Sequence, residues 1–197
     1  GAAASAWTHR DELHPVAGIA VAVLAAITFA GGLAGSALLV LTPTETFDAI
    51  IPWLLLFAFA VMAFGKRAAG WLHARVTIGR PTLLATQSLL GVYGGYFGGG
   101  VGLITTALYG LLANIQPREL FAIRTLMLAV ANSAAALVFV AFAMVWWWAC
   151  LPMLAGSILG GWLGAHFGKR LSPRAVRAWT LLVTGATTAV FFVRTYA

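Results

Sequence analysis

Two aromatic hydroxyls and a run of glycines are the residues of this chain with the most chemistry to offer. Tyr93, Gly94, Gly95, Tyr96, Gly98, Gly99 and Gly100 fall within eight positions, inside a stretch from Thr82 to Ala113 without one charged residue. Glycine costs a helix about 1 kcal/mol relative to alanine, so such clustering in apolar surroundings calls for a reason. Consecutive glycines expose backbone N–H groups to a ligand, and a helix beginning after them adds about half a positive charge at its first turn. Gly98, Gly99 and Gly100, ahead of a helix starting near Val101, offer both. Tyr93 and Tyr96 add hydroxyl donors, while Gln87 and Asn132 are rare amides in otherwise apolar runs. These nine residues are the substrate-binding candidates for a small anion that must exchange water for neutral donors. Each also has a plainer use: close helix packing for the glycines, ring packing for the tyrosines, an interhelical hydrogen bond for either amide.

The remaining inventory points away from catalysis. Asp11, Glu12, Glu45, Asp48 and Glu119 belong to connections, span edges or the N-terminal segment. No carboxylate is therefore set inside a span for a proton or sodium relay. Cys150 has no histidine partner and Ser133 no evident base, so a nucleophile–base pair is missing. No zinc spacing, Walker sequence or nucleotide fingerprint occurs. The expectation is a protein that is not an enzyme, with no cofactor and no metal. His166, near Lys169 and Arg170, reads as interfacial, and Trp146 to Trp148 as an aromatic belt at a membrane boundary.

Composition sets the stage for these residues. The chain has 197 residues, 61% hydrophobic and 9% charged, where a soluble domain carries about 25% charged residues. The class is an all-α integral membrane protein with several passes. The net charge of +7 arises from short basic clusters between apolar runs, a topology signal rather than a nucleic-acid surface. The partners implied are a lipid bilayer and a small anionic substrate, with no nucleic acid; oligomeric state is open. The runs fall at about 16–41, 47–64, 82–113, 125–144, 146–167 and 178–193. All but 82–113 fit one crossing of about 20 residues, the last with Arg177 and Arg194 snorkelling at its ends.

The run 82–113 is too long for that. Its 32 residues as one straight helix would extend about 48 Å, against a hydrocarbon core of about 30 Å. If it crosses once, the twelve Lys and Arg residues divide evenly between the two sides. If it enters and returns, eleven share one side and Arg194 stands alone opposite, as the positive-inside rule prefers. Residues 82–113 are thus expected to form a hairpin of two short helices. Its glycine tip lies within the membrane, where irregular backbone survives only when enclosed by protein or lining a polar cavity.

A repeat supports that topology. Gly31-Gly32-x-x-Gly35, followed by Thr42-Pro43, is answered by Gly160-Gly161-x-x-Gly164, followed by Ser172-Pro173, with a 129-residue offset between the glycines. Under the hairpin topology the copies run in opposite directions, forming an inverted internal repeat of the kind transporters build around a midplane site. Small residues at helix contacts are the simpler alternative. The hairpin precedes the second copy, so its counterpart, a first Gly-rich hairpin, is expected upstream of residue 1.

The stretches LLVLTPTETFDAIIPWLLLFAFAVMAF (Leu38–Phe64), Gln87 with YGGYFGGGVGL (Tyr93–Leu103), and GSILGGWLGAHFGKRLSPRAVR (Gly156–Arg177) resemble the TauE/SafE family of membrane transporters, the sulfite exporter or toluene-sulfonate uptake permease group. The resemblance covers nearly the whole chain. It implies two homologous halves, each opening with a Gly-rich hairpin, and movement of sulfite or organosulfonates across the bacterial inner membrane. Export of such an anion from a negative-inside cell is downhill by about 2.3 kcal/mol per charge per 100 mV, so a uniport or channel-like exporter suits the lack of a relay carboxylate. Uptake of another organic acid or sulfur compound is the alternative within the family. A non-transporting membrane subunit is the alternative outside it.

Overall fold

Hydrocarbon offers backbone groups no partners, so long apolar runs must satisfy themselves as helices. The computed structural model describes residues 13–16, 18–73, 79–98, 101–112, 117–168 and 173–196, and among these it shows helices throughout, with no strand. In chain order they are α1 (Val21–Leu41), α2 (Thr44–His73), α3 (Arg80–Tyr96), α4 (Val101–Leu112), α5 (Pro117–Ala141), α6 (Trp147–Gly168) and α7 (Pro173–Tyr196). Stretches of α1, α2, α5 and α7 are each long and apolar enough to cross a membrane. Such a chain is a multi-pass membrane protein.

The run 82–113 does break into two helices. Tyr109 on α4 donates a hydrogen bond of 2.6 Å to Gln87 Oε1 on α3. In one continuous helix those residues, 22 apart in sequence, would stand about 33 Å from each other. Nearer the tip, a Cβ added at Gly94 would come within 3.2 Å of Val101. The arms are therefore antiparallel. With 17 residues in α3 and 12 in α4, they reach about 26 Å and 18 Å, each short of a full crossing.

Pairings around the hairpin fix the other directions. Thr28 on α1 meets Gln87 on α3 and Met127 on α5. Further along, Gly32 adjoins Gly95 and Ala134. Contacts advance together in all three helices, so α1, α3 and α5 are parallel. Helix α7 runs antiparallel to α2: Arg177 Nη2 donates to the Ala63 carbonyl at 3.1 Å, and Trp53 Nε1 donates to Tyr196 Oη at 3.0 Å. Arg80, Arg124 and Arg177 accordingly share one end of the bundle. Arg194 stands at the other, with Glu45 and Asp48.

Element ends depart from the apolar runs where local chemistry differs. Helix α1 starts at Val21 rather than near residue 16. Val16 and Ile19 instead exchange two backbone hydrogen bonds of 2.9 Å around Gly18, whose φ of +75° is left-handed. Both side chains turn inward and join Leu24, Leu83, Tyr109, Ile123 and Met127 in the core. Helix α2 continues beyond Phe64 to His73, and α5 begins at Pro117, ahead of residue 125. Helical pairing persists after the hydrocarbon ends, so loss of hydropathy does not mark where a helix stops. Helix α5 closes at Ala141 and not at residue 144, because Ala143 takes a φ of 53°.

Candidate functional site

The hairpin can sit deep in the bundle because α1 and α3 approach almost backbone to backbone. A Cβ at Gly95 would run into the Gly32 carbonyl, and one at Gly35 would run into the Val92 carbonyl. Gly31 and Gly91 face each other in the same seam, where an added Cβ would have 3.0 Å. Gly94 looks toward α5, with Ala131 Cβ at 3.2 Å from such an atom. Gly94 and Gly95 are interior to α3, so their N–H groups are committed to helical pairing and are not free for a ligand. Their place in the structure is explained by packing.

Gln87 is 1% exposed and ties three helices. Its amide nitrogen donates to Thr28 Oγ1 on α1, and its oxygen accepts from Tyr109 on α4. Thr28 passes its own proton to the Leu24 carbonyl at 2.7 Å, with Met127 Sδ at 3.2 Å. A buried amide held at both ends is a clasp between the hairpin arms, not an open donor. Thr28 and Tyr109 were not among the residues singled out from sequence. Tyr109 had one usable signal, since it and Gln87 lie at similar distances on either side of the glycine tip.

Tyr93 is different. Its ring sits edge-on to Phe57 of α2 at 5.9 Å and to Phe97 at 5.8 Å. Among the described residues its hydroxyl oxygen is buried and has no hydrogen-bond partner. Buried hydroxyls nearly always find partners, so this one needs an account. Tyr96 packs on Phe47 at 5.9 Å, and its hydroxyl reaches Thr42 Oγ1 only at 3.5 Å. Beyond it, the Phe97 N–H caps the Tyr93 carbonyl at 2.9 Å. Gly98 then leaves the helix at φ +69°, a left-handed exit that glycine makes without Cβ strain. Helix α4 begins at Val101 with first-turn N–H groups that have no acceptor inside the helix. Gly99 and Gly100 lie outside the described residues.

Asn132 is not brought into this group. It is exposed on α5, while its neighbour Ala131 faces the hairpin. A separate recess of about 410 Å³ lies at the Arg194 end, lined by Glu45, Asp48, Arg194, Thr195 and Tyr196 among others. No cluster of three His, Cys, Asp or Glu able to hold a metal forms among the described residues.

Comparison with known proteins decides the kinship. The family model described as sulfite exporter TauE/SafE matches residues 1–191. The chain belongs to that family. Membership makes it a membrane transporter of the sulfite and sulfonate exporter class, handling small anions. No curated protein and no solved structure matches the chain. The family therefore supplies the class, and the arrangement of the hairpin has to carry any finer reading.

Proposed function

We propose that this chain exports small sulfur oxyanions, sulfite or organosulfonates, across a bacterial inner membrane, and that the re-entrant hairpin supplies the donors they bind. The observation that carries this reading is the Tyr93 hydroxyl, buried without a partner about one helical turn before the chain breaks at Gly98. A neutral donor of that kind in hydrocarbon is costly unless a ligand uses it. The Tyr96 hydroxyl and the N–H groups around Gly98, Gly99, Gly100 and the start of α4 complete the proposed donor set. Gln87 positions the arms through its clasp.

The internal repeat extends the proposal. Described residues of α6 up to Gly160 are exposed except the half-buried Ala149, and nothing lies within 4 Å of a Cβ placed at Gly156 or Gly160. We assign that face to a glycine-rich helix of the α3 kind from the upstream hairpin, with Asn132 on the exposed side of α5 turned to the same half.

Tyr93→Phe in the full-length protein, reconstituted into vesicles, tests the donor. The hydroxyl holds nothing in the bundle, so without substrate the melting temperature should not fall. Hydrogen bonds to charged partners contribute roughly 1.5–3 kcal/mol, so sulfite flux and sulfite-induced thermal stabilisation should fall by about tenfold or more. Undiminished flux in a normally folded Tyr93→Phe protein sinks the site.

A further inference from the structure

The apolar runs of this chain place no fixed charge within the membrane. Residues 16–41, 49–64, 82–113, 125–144, 146–167 and 178–193 contain no Lys, Arg, Asp or Glu. In the fold, Arg80, Arg124 and Arg177 gather at one end, and Glu45, Asp48 and Arg194 surround the recess at the other. Between those ends lies the hairpin, enclosed by α1, α2 and α5. Its amide, Gln87, is spent on Thr28 and Tyr109. What it offers an ion is the unpartnered Tyr93 hydroxyl, the loosely held Tyr96 hydroxyl and backbone N–H groups at the break.

Three energies then compete, and they scale differently with the ion's charge. Attraction to the basic mouth grows with the first power of the charge, and so does the return from neutral dipoles inside. Loss of hydration in a low-dielectric site grows with its square. Doubling the charge roughly doubles both gains but quadruples the cost. A fixed guanidinium or ammonium beside the path would offset that cost, and these spans place none there.

We propose that the chain selects substrates by valence: it passes singly charged oxyanions, hydrogen sulfite and monosulfonates, and holds back doubly charged ones, the sulfite dianion and sulfate. The proposal rests on the transport reading above and narrows its substrate class. Hydrogen sulfite loses its remaining proton near neutral pH, so for this substrate valence selection becomes a dependence on pH. The carried fraction falls as pH rises, with no titrating group on the protein required.

The test uses the full-length protein in vesicles, with protein-free vesicles subtracted to remove passive sulfur dioxide leakage. Methanesulfonate, sulfate and sulfite are the probes, over the two pH units centred on neutrality. Methanesulfonate keeps one charge throughout and should cross at a constant rate. Sulfate flux should be lower by about tenfold or more. Sulfite flux per total sulfite should fall several-fold from the acid to the alkaline limit, following the hydrogen sulfite fraction. Sulfate moving as fast as methanesulfonate overturns valence selection while leaving anion transport in place. So does sulfite flux that is flat or rises with pH. Protein-dependent flux for none of the three overturns the transport reading, and this inference with it.

Discussion

The glycine block of α1 and the first glycine of its sequence copy on α6 have opposite surroundings. On α1, Gly31, Gly32 and Gly35 are sealed against α3 and α5 so closely that added methyl groups would meet backbone or Ala134. On α6, Gly160 opens the copy with nothing around it. Small residues in lipid do not attract one another through water; they permit close approach when a matching surface arrives. Helix α3 supplies that surface with Gly91 and Gly95. The contrast fits the proposal that the α6 block receives a glycine-faced helix of the α3 kind.

The largest effect should come from filling the sealed seam. Gly95→Leu drives a side chain into the Gly32 backbone, which cannot step aside without parting the helices. Overpacking typically costs 1–3 kcal/mol and occasionally more, and this site should lie at about 3 kcal/mol or beyond. Thermal melts in detergent should show Gly95→Leu collapsing far below the parent. Gly160→Leu in the same 197-residue chain should stay within about 0.5 kcal/mol. Where the proposed upstream hairpin is joined to the chain, Gly160→Leu should become harmful too. If it is equally harmful in residues 1–197 alone, α6 packs within them and the contrast disappears.

A middle-sized effect belongs to the clasp. Gln87→Leu strands the Tyr109 hydroxyl inside the bundle, at about 1–3 kcal/mol, while Thr28 keeps its bond to the Leu24 carbonyl. Adding Tyr109→Phe should recover part of that loss, because removing both partners costs less than orphaning one. A double-mutant cycle of melting temperatures that came out additive would show that the two side chains do not act together. Smallest of all should be Asn132→Ala, within about 0.5 kcal/mol in the 197-residue chain, because the amide is exposed there. Lost flux without lost stability in the full-length protein would bring Asn132 into the path.

The hairpin was legible because two independent constraints, the length of 82–113 and the placement of twelve basic residues, agree on it. Gln87 and Tyr93 were legible as rare polar groups, but what each does was not. A glutamine amide can clasp helices or bind a ligand, and only its contacts with Thr28 and Tyr109 separate the two uses. Gly94 and Gly95 stood beside Gly98 as candidates, with no sign in the sequence of where the first helix ends. The helix continues through Tyr96 before breaking, which commits the N–H groups of the first two and leaves the left-handed exit to the third. Asn132 was legible as a rare amide in a span, but depth in a span says nothing about which face a side chain occupies, and Asn132 is exposed.

The pairing of α2 with α7 bears on how this protein is made. Helix α2 ends at His73 and α7 begins at Pro173, so about a hundred residues lie between the two elements. At a synthesis rate of about 5–20 residues per second, α2 spends roughly 5–20 s in the membrane before α7 can emerge. Its contact with α4 arrives sooner, but the Trp53–Tyr196 hydrogen bond and the Trp53–Phe192 ring contact are necessarily late. A ribosome that stops short of the last two dozen residues leaves a nascent bundle whose hairpin is seated and whose second helix still faces lipid, a ready mark for membrane quality control.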